Sequence, residues 1–246
     1  MSYGDFDSFQ VEYVIETILI NKTPVSIGCG REITGAIDNP IVRMNGKPYI
    51  PGSSLKGVLR VEAERYVKTI YGPDRVCDIT NPHGDRGELK LKKERAEDYK
   101  PCLVCSIFGG PTVASHLKVY DAYPLNGQYH VEKRTRVTIC RITGGQYPGR
   151  LFDMEYITPN SRFTWKLEVL NIDLMGQGDK ARVLNYLLRK LKNHGIFVGG
   201  RRSIGMGCIK IEELKSVREF RLANGELTSR DLKNEYLKIL EVGGNE

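Results

Sequence analysis

With 246 residues, 40% apolar and 27% charged, the chain has ordinary globular composition and length for one elaborated domain or two small ones, which excludes disorder as the default. A net charge of +7 favours an anionic partner, nucleic acid foremost, although surplus lysine also serves solubility. No run is apolar and long enough to span a bilayer, and the opening MSYGDFDSFQ lacks a signal peptide's basic and apolar regions, so a cytoplasmic protein with no membrane partner is expected.

In chain order, Val11 to Ile20 is a β-rich run without glycine or proline, which predicts a core strand. Residues 21–51 are too punctuated by glycine and proline for a helix and read as strand fragments and loop. A helix is expected from Ser53 and Ser54, with their hydroxyls as caps, because Leu55, Val58, Leu59, Tyr66, Val67 and Ile70 share one helical face before Gly72 and Pro73. Cys77 to Pro101 is polar and reads as a surface insertion. Arg134 to Pro159, with GGQYPG at its centre, predicts a hairpin or protruding arm.

Phe163, Trp165, Leu167 and Val169 alternate with polar residues, marking a strand with one buried face. Val183, Leu184, Leu187, Leu188 and Leu191 predict a second helix ending at Gly195, and Cys208 to Ile211 another strand. Asn224-Gly225 signals a tight turn, and Thr228 and Ser229 are expected to cap a last helix through Leu232, Tyr236 and Leu240. The order suits an α+β fold with a ferredoxin-like (RRM-like) core over residues 1–213, insertions at 74–110 and 134–159, and an accessory hairpin and helix at 214–246.

Three segments carry candidate chemistry. The loop GGRRSIGMG contains Gly199, Gly200, Gly205 and Gly207, which free the backbone for positive φ and close approach, and Arg201 and Arg202, which suit phosphate; taken alone it is most simply a plain turn. In YIPGSSLKGVLR, Ser53 and Ser54 sit at a helix start while Lys56 and Arg60 stand one turn apart, a phosphate site or simply a capped, solvated helix. Cys102 and Cys105 form a CxxC pair, half of a tetrahedral site, which Cys77 and His83 upstream can complete; the alternative is buried thiols. The other cysteines, Cys29, Cys140 and Cys208, lie in unrelated segments and read as core or loop thiols.

GAIDNPIVR at Gly35 to Arg43, YIPGSSLKGVLR at Tyr49 to Arg60 and the late glycine loop, in this order, resemble the RAMP superfamily of CRISPR-associated proteins. Within it they are most similar to the repeated backbone subunit of type III (Csm-like) interference complexes. The resemblance implies binding of guide RNA (crRNA) along a filament of copies with other complex subunits, and cleavage of complementary target RNA at regular intervals. It implies that Asp38, on local evidence a turn residue, acts with a divalent cation, magnesium or manganese, and that the cysteine region holds structural zinc. It also implies that the arm, carrying Arg134, Arg136, Arg141 and Arg150, is a thumb inserted into the guide–target duplex. A pure RNA-binding scaffold remains the alternative. A guide-processing endoribonuclease is disfavoured because none of His83, His116, His130 and His194 falls in the Asp38 loop or at the helix start.

Overall fold

The computed structural model describes residues 6–29, 37–95 and 99–241; Gly35 at the head of the loop motif lies outside them. A central antiparallel sheet is built from β1 (Glu12–Asn21), β4 (Leu117–Val119), β8 (Arg162–Leu170), β10 (Cys208–Ala223) and β11 (Glu226–Asp231), in the order β11-β10-β1-β8-β4. Short β5 (Tyr123–Pro124) joins β8 and short β9 (Ile196–Phe197) joins β10. The helix α1 (Gly52–Tyr71) connects β1 to β4, and α4 (Asp179–Asn193) connects β8 to β9 and β10. Two smaller helices, α2 (Glu88–Arg95) and α3 (Cys105–Phe108), lie in the insertion after α1, and α5 (Lys233–Glu241) follows β11. No helix among the described residues is long and apolar enough to cross a membrane.

The alternation read from the sequence decides which sheet face is buried. Tyr13, Ile15, Thr17 and Leu19 of β1 stand opposite Val169, Leu167, Trp165 and Phe163 of β8, and all eight are buried. Leu55, Leu59, Ala63 and Val67 of α1, at four-residue spacing, and Val183, Leu184, Leu187, Leu188 and Leu191 of α4, at three- and four-residue spacing, join the same core. The other face carries Glu12, Glu16, Arg162, Lys166 and Glu168 and is largely charged, with Tyr120 and Tyr123 at the β4–β5 end.

Two expected caps are different. The α1 start has no side-chain cap from Ser53 or Ser54; the Asp121 carboxylate, brought in from the turn after β4, accepts the Gly52 N–H at 2.7 Å. Thr228 and Ser229 belong to β11, and Asp231 accepts the Lys233 N–H at 2.8 Å to start α5. The C-terminal element is tied into the fold: β10 runs unbroken through Glu213 to Ala223, and Tyr236 and Leu240 are buried.

The predicted arm is a two-stranded hairpin, β6 (Val131–Ile139) with β7 (Gln146–Ile157), outside the central sheet. A smaller hairpin, β2 (Arg43–Met44) with β3 (Lys47–Pro48), leads into α1. Residues 24–28 knit these parts together. Val25 exchanges main-chain bonds with Ile157 at the arm's base, Val42 N–H donates to Ile27, and Gly200 and Gly207 donate to the carbonyls of Ser26 and Pro24.

Gly207 sits at φ +100° with its missing Cβ 2.1 Å from the Val198 carbonyl oxygen, whereas Gly205 at φ +83° has open space there. Gly205→Ala is expected to cost only the left-handed strain of about 1–2 kcal/mol, a Tm loss of about 3–6 °C. Gly207→Ala adds a backbone clash and is expected to lower Tm at least twice as far in thermal melts.

Candidate nucleic-acid interface and cysteine cluster

Asp38 lies where the loop after residues 24–28 runs beside the arm. Asn39 bridges to Met154 in parallel, its N–H donating to the Asp153 carbonyl at 3.1 Å while Glu155 N–H donates to Asn39. This strand-like contact leaves Asp38 exposed, with one carboxylate oxygen accepting the Asp153 N–H at 2.9 Å. The neighbouring carboxylates are already engaged. Asp153 is ion-paired with Lys133 at 2.6 Å and accepts from Thr135 at 2.6 Å, which hold its carboxyl below the usual range. Glu155 forms a two-pronged pair with Arg43 at 2.7 and 3.0 Å and accepts the Ile41 N–H at 3.1 Å; Arg43 foremost pulls its carboxyl down.

The glycine loop meets the same end of the arm. Arg201, in a left-handed conformation at φ +59°, places its guanidinium 5.7 Å from the Phe152 ring centre, one residue from the Asp153 amide that holds Asp38. Arg136 stands opposite Phe152 in the hairpin and reaches Met206 of the loop at 3.7 Å, and Met154, Tyr156 and Met206 form a small buried cluster beneath. Arg136, Arg201 and Arg202 have no carboxylate partner among the described residues, and the Arg136 Nε is buried without a hydrogen bond. Asp38, Arg136 and Arg201 therefore gather at the root of the arm, with Arg202 next to Arg201 in the loop. The glycines act differently from a simple cradle: the N–H groups of Gly200, Gly205 and Gly207 are spent on Ser26, Arg202 and Pro24, and Gly199 is needed because a Cβ would lie 2.5 Å from the Ser26 carbonyl oxygen. Beyond the cluster the arm is exposed and apolar as well as basic, with Val137, Ile139, Ile142 and Leu151 uncovered near Arg141.

At the start of α1, Ser53 is exposed and Lys56 donates to the Ser115 hydroxyl at 2.8 Å, with burial and then the nearby Arg60 charge lowering its pKa. Arg60 faces inward. Its guanidinium donates to the Gly109 carbonyl at 2.7 Å, to the Cys105 sulfur at 3.0 Å and to Glu64 at 3.2 Å. The Ser54 N–H is taken by the Pro51 carbonyl. This first turn belongs partly to packing.

Cys77, Cys102 and Cys105 come together with all three sulfurs within 4.8 Å of one another, Cys77 lying 3.3 Å from Cys105 and 3.6 Å from Cys102. Such spacing approaches the roughly 3.8 Å sulfur–sulfur edge of a tetrahedral site with 2.3 Å bonds, so the donor set fits a soft ion such as zinc. Hydrogen bonds with Cys105 and then Cys77 pull the Cys102 thiol far down, while bonding to Cys102 pushes Cys77 up to about 12. His83 is exposed and does not join the three sulfurs. Glu88, legible only as one charge in a polar run, is wholly buried beside this cluster, accepting from Tyr99 at 3.0 Å and from Thr112.

The Arg43–Glu155 pair joins the Asp38 loop to the arm with Glu155 largely buried and Arg43 one-third exposed. Arg43→Ala is expected to destabilise by about 2 kcal/mol, less than a fully buried pair because water screens one partner. Because Glu155 is depressed in the folded state, this stabilisation is full above the ordinary carboxylate pKa of about 4.3 and fades as pH falls through the lower folded value. The Tm gap between wild type and variant should be complete at pH 7 and shrink near pH 3.

Residues 19–210 match the family model described as the RAMP superfamily. Three curated relatives each bear the name CRISPR system Cms endoribonuclease Csm3. One from Methanocaldococcus jannaschii is 28% identical over 223 residues, covering 83% of this chain and 80% of the relative. One from Methanothermobacter thermautotrophicus is 26% identical over 92% of this chain and 96% of its own length, and one from Mycobacterium tuberculosis is 26% identical over 90% and 94%. With both characteristic segments and the late glycine loop inside the matched span, the chain belongs to the RAMP superfamily.

Proposed function

We propose that this chain is a backbone subunit of a type III CRISPR complex, which lines up in copies along a guide RNA and cuts the complementary target RNA beside Asp38. One observation carries the reading: an exposed carboxylate stands at the root of a projecting arm, near Arg136, Arg201 and Arg202, which have no acidic partner among the described residues. Cations left without counter-charges at a surface suit a polyanion, and the names of the relatives supply the RNA and the cutting. The strand–helix–strand–strand–helix–strand order of β1, α1, β4, β8, α4 and β10 supports the ferredoxin-like core.

Each side chain has a task in this reading. Arg136, Arg201 and Arg202 hold phosphates, Arg141 follows the strand along the arm, and Ser53 and Lys56 add a second phosphate contact at α1. The apolar arm, with Val137 and Leu151 paired across it, wedges between bases and turns one scissile linkage toward Asp38. The Asp153 amide fixes one oxygen of Asp38, leaving the other to orient the attacking ribose hydroxyl. The described surroundings of Asp38 form no cage for a resident divalent ion, because Asp153 and Glu155 are committed to Lys133 and Arg43. Such an ion would come with the RNA phosphates and neutralise charge at the scissile group. The same shortage of free carboxylates favours a second reading, a scaffold that binds without cutting. His116, the only histidine buried here, bonds the Leu170 carbonyl at 2.7 Å, which lends nothing to guide processing.

Asp38→Ala is expected to slow target cutting by about 100-fold or more in the assembled complex while changing RNA affinity less than about twofold. Unchanged cutting would leave the scaffold reading. The cysteine cluster is proposed to hold structural zinc that pins the insertion to Arg60 and α1. Purified protein should then carry about one zinc per chain by elemental analysis, Cys102→Ser should lose most of it, and chelation should lower the wild-type Tm.

A further inference from the structure

We infer that the surface where the β2–β3 hairpin, the first turn of α1 and the turn from β4 to β5 meet is a stacking ledge for unpaired bases of single-stranded RNA. The inference rests on the RNA-binding reading above and adds to it a place where bases, rather than phosphates, are held. Tyr49 and Tyr123 stack with ring centres 5.8 Å apart and planes 18° from parallel, yet Tyr123 remains 42% exposed. Tyr120, 37% exposed, and Met44, 42% exposed, extend the same surface. Large apolar side chains left open side by side need a partner, and flat rings suit a flat one.

These rings are held in place. The Tyr123 hydroxyl donates to Asp121 at 3.2 Å, and the same carboxylate accepts the Gly52 N–H, so the ring is tied to the start of α1. The Tyr120 hydroxyl donates to Glu168 at 2.9 Å while the Lys166 ammonium lies 3.8 Å from its ring centre. Rings already fixed lose little freedom when a base settles on them. Alongside runs a groove of about 430 Å³ lined by Ser53, Lys56, Lys118 and Tyr120. Lys56 and Lys47 have no acidic partner among the described residues, Lys56 bonding only to a neutral hydroxyl. Aromatic faces interleaved with uncompensated lysines match a single strand, whose bases stack while its phosphates run along the cations. A purely apolar protein partner would leave the half-buried Lys56 without a counter-charge.

The test uses the full chain, a uridine-rich single-stranded RNA carrying 5-iodouridine, and the double variants Tyr120→Leu/Tyr123→Leu and Tyr120→Phe/Tyr123→Phe. Photo-crosslinks mapped by mass spectrometry are expected on Tyr120 or Tyr123. The leucine pair should weaken RNA binding roughly tenfold with an unchanged salt slope, while the phenylalanine pair, which keeps the rings, stays near wild type. Wild-type affinity in the leucine pair, with crosslinks confined to the arm or glycine loop, would overturn the ledge and leave RNA binding intact. A leucine pair that binds normally but alters sedimentation of the protein alone would make the surface a contact between copies, also overturning it. If wild type binds no RNA at low salt, both the ledge and the reading beneath it fail.

Discussion

Everything at the candidate site depends on the wedging of residues 24–28 and 38–43 between the arm and the glycine loop. Main-chain bonds do most of this: Val25 with Ile157, Asn39 with Asp153 and Glu155, Gly200 with Ser26 and Gly207 with Pro24. Arg43 then locks the junction by gripping Glu155 from the loop side. Backbone pairing sets distances more firmly than long side chains, so Asp38, although on a loop, is held in one position relative to the arm.

Charge is partitioned over the surface. Acids on the open sheet face are paired, Glu168 with Lys118 and Lys166 and Glu212 with Arg162, and there the field is largely cancelled. Around the arm and glycine loop, by contrast, arginines outnumber the acids available to them. Part of the net charge of +7 therefore gathers at the arm and glycine loop, because the acids there are consumed by internal pairs.

Rigidity and reach are likewise divided. Gly52, Gly199 and Gly207 let backbones approach where any Cβ would collide with a carbonyl, making firm joints beneath the site. The arm, with little packed beyond Met154 and Tyr156, projects its apolar strip outward. Arg60 connects the start of α1 to the cysteine cluster through Cys105, so the insertion and that face of the helix are mechanically one unit.

Periodicity made the elements legible. Alternation in Phe163 to Val169, helical spacing in Leu55 to Val67 and Val183 to Leu191, and the turn at Asn224-Gly225 are local consequences of backbone geometry. What local pattern cannot contain is pairing between segments far apart in the chain. Only the tertiary structure decided that Asp121 rather than a serine caps α1, that Arg60 turns inward to a thiol while Arg136 and Arg202 have no acidic partner among the described residues, and that His83 stands away from the three cysteines. The sequence by itself determined which residues can form strands, helices and turns, because those preferences reside in each residue and its near neighbours; which charges remain free for a ligand was decided by folding, because a partner's distance exists only in three dimensions.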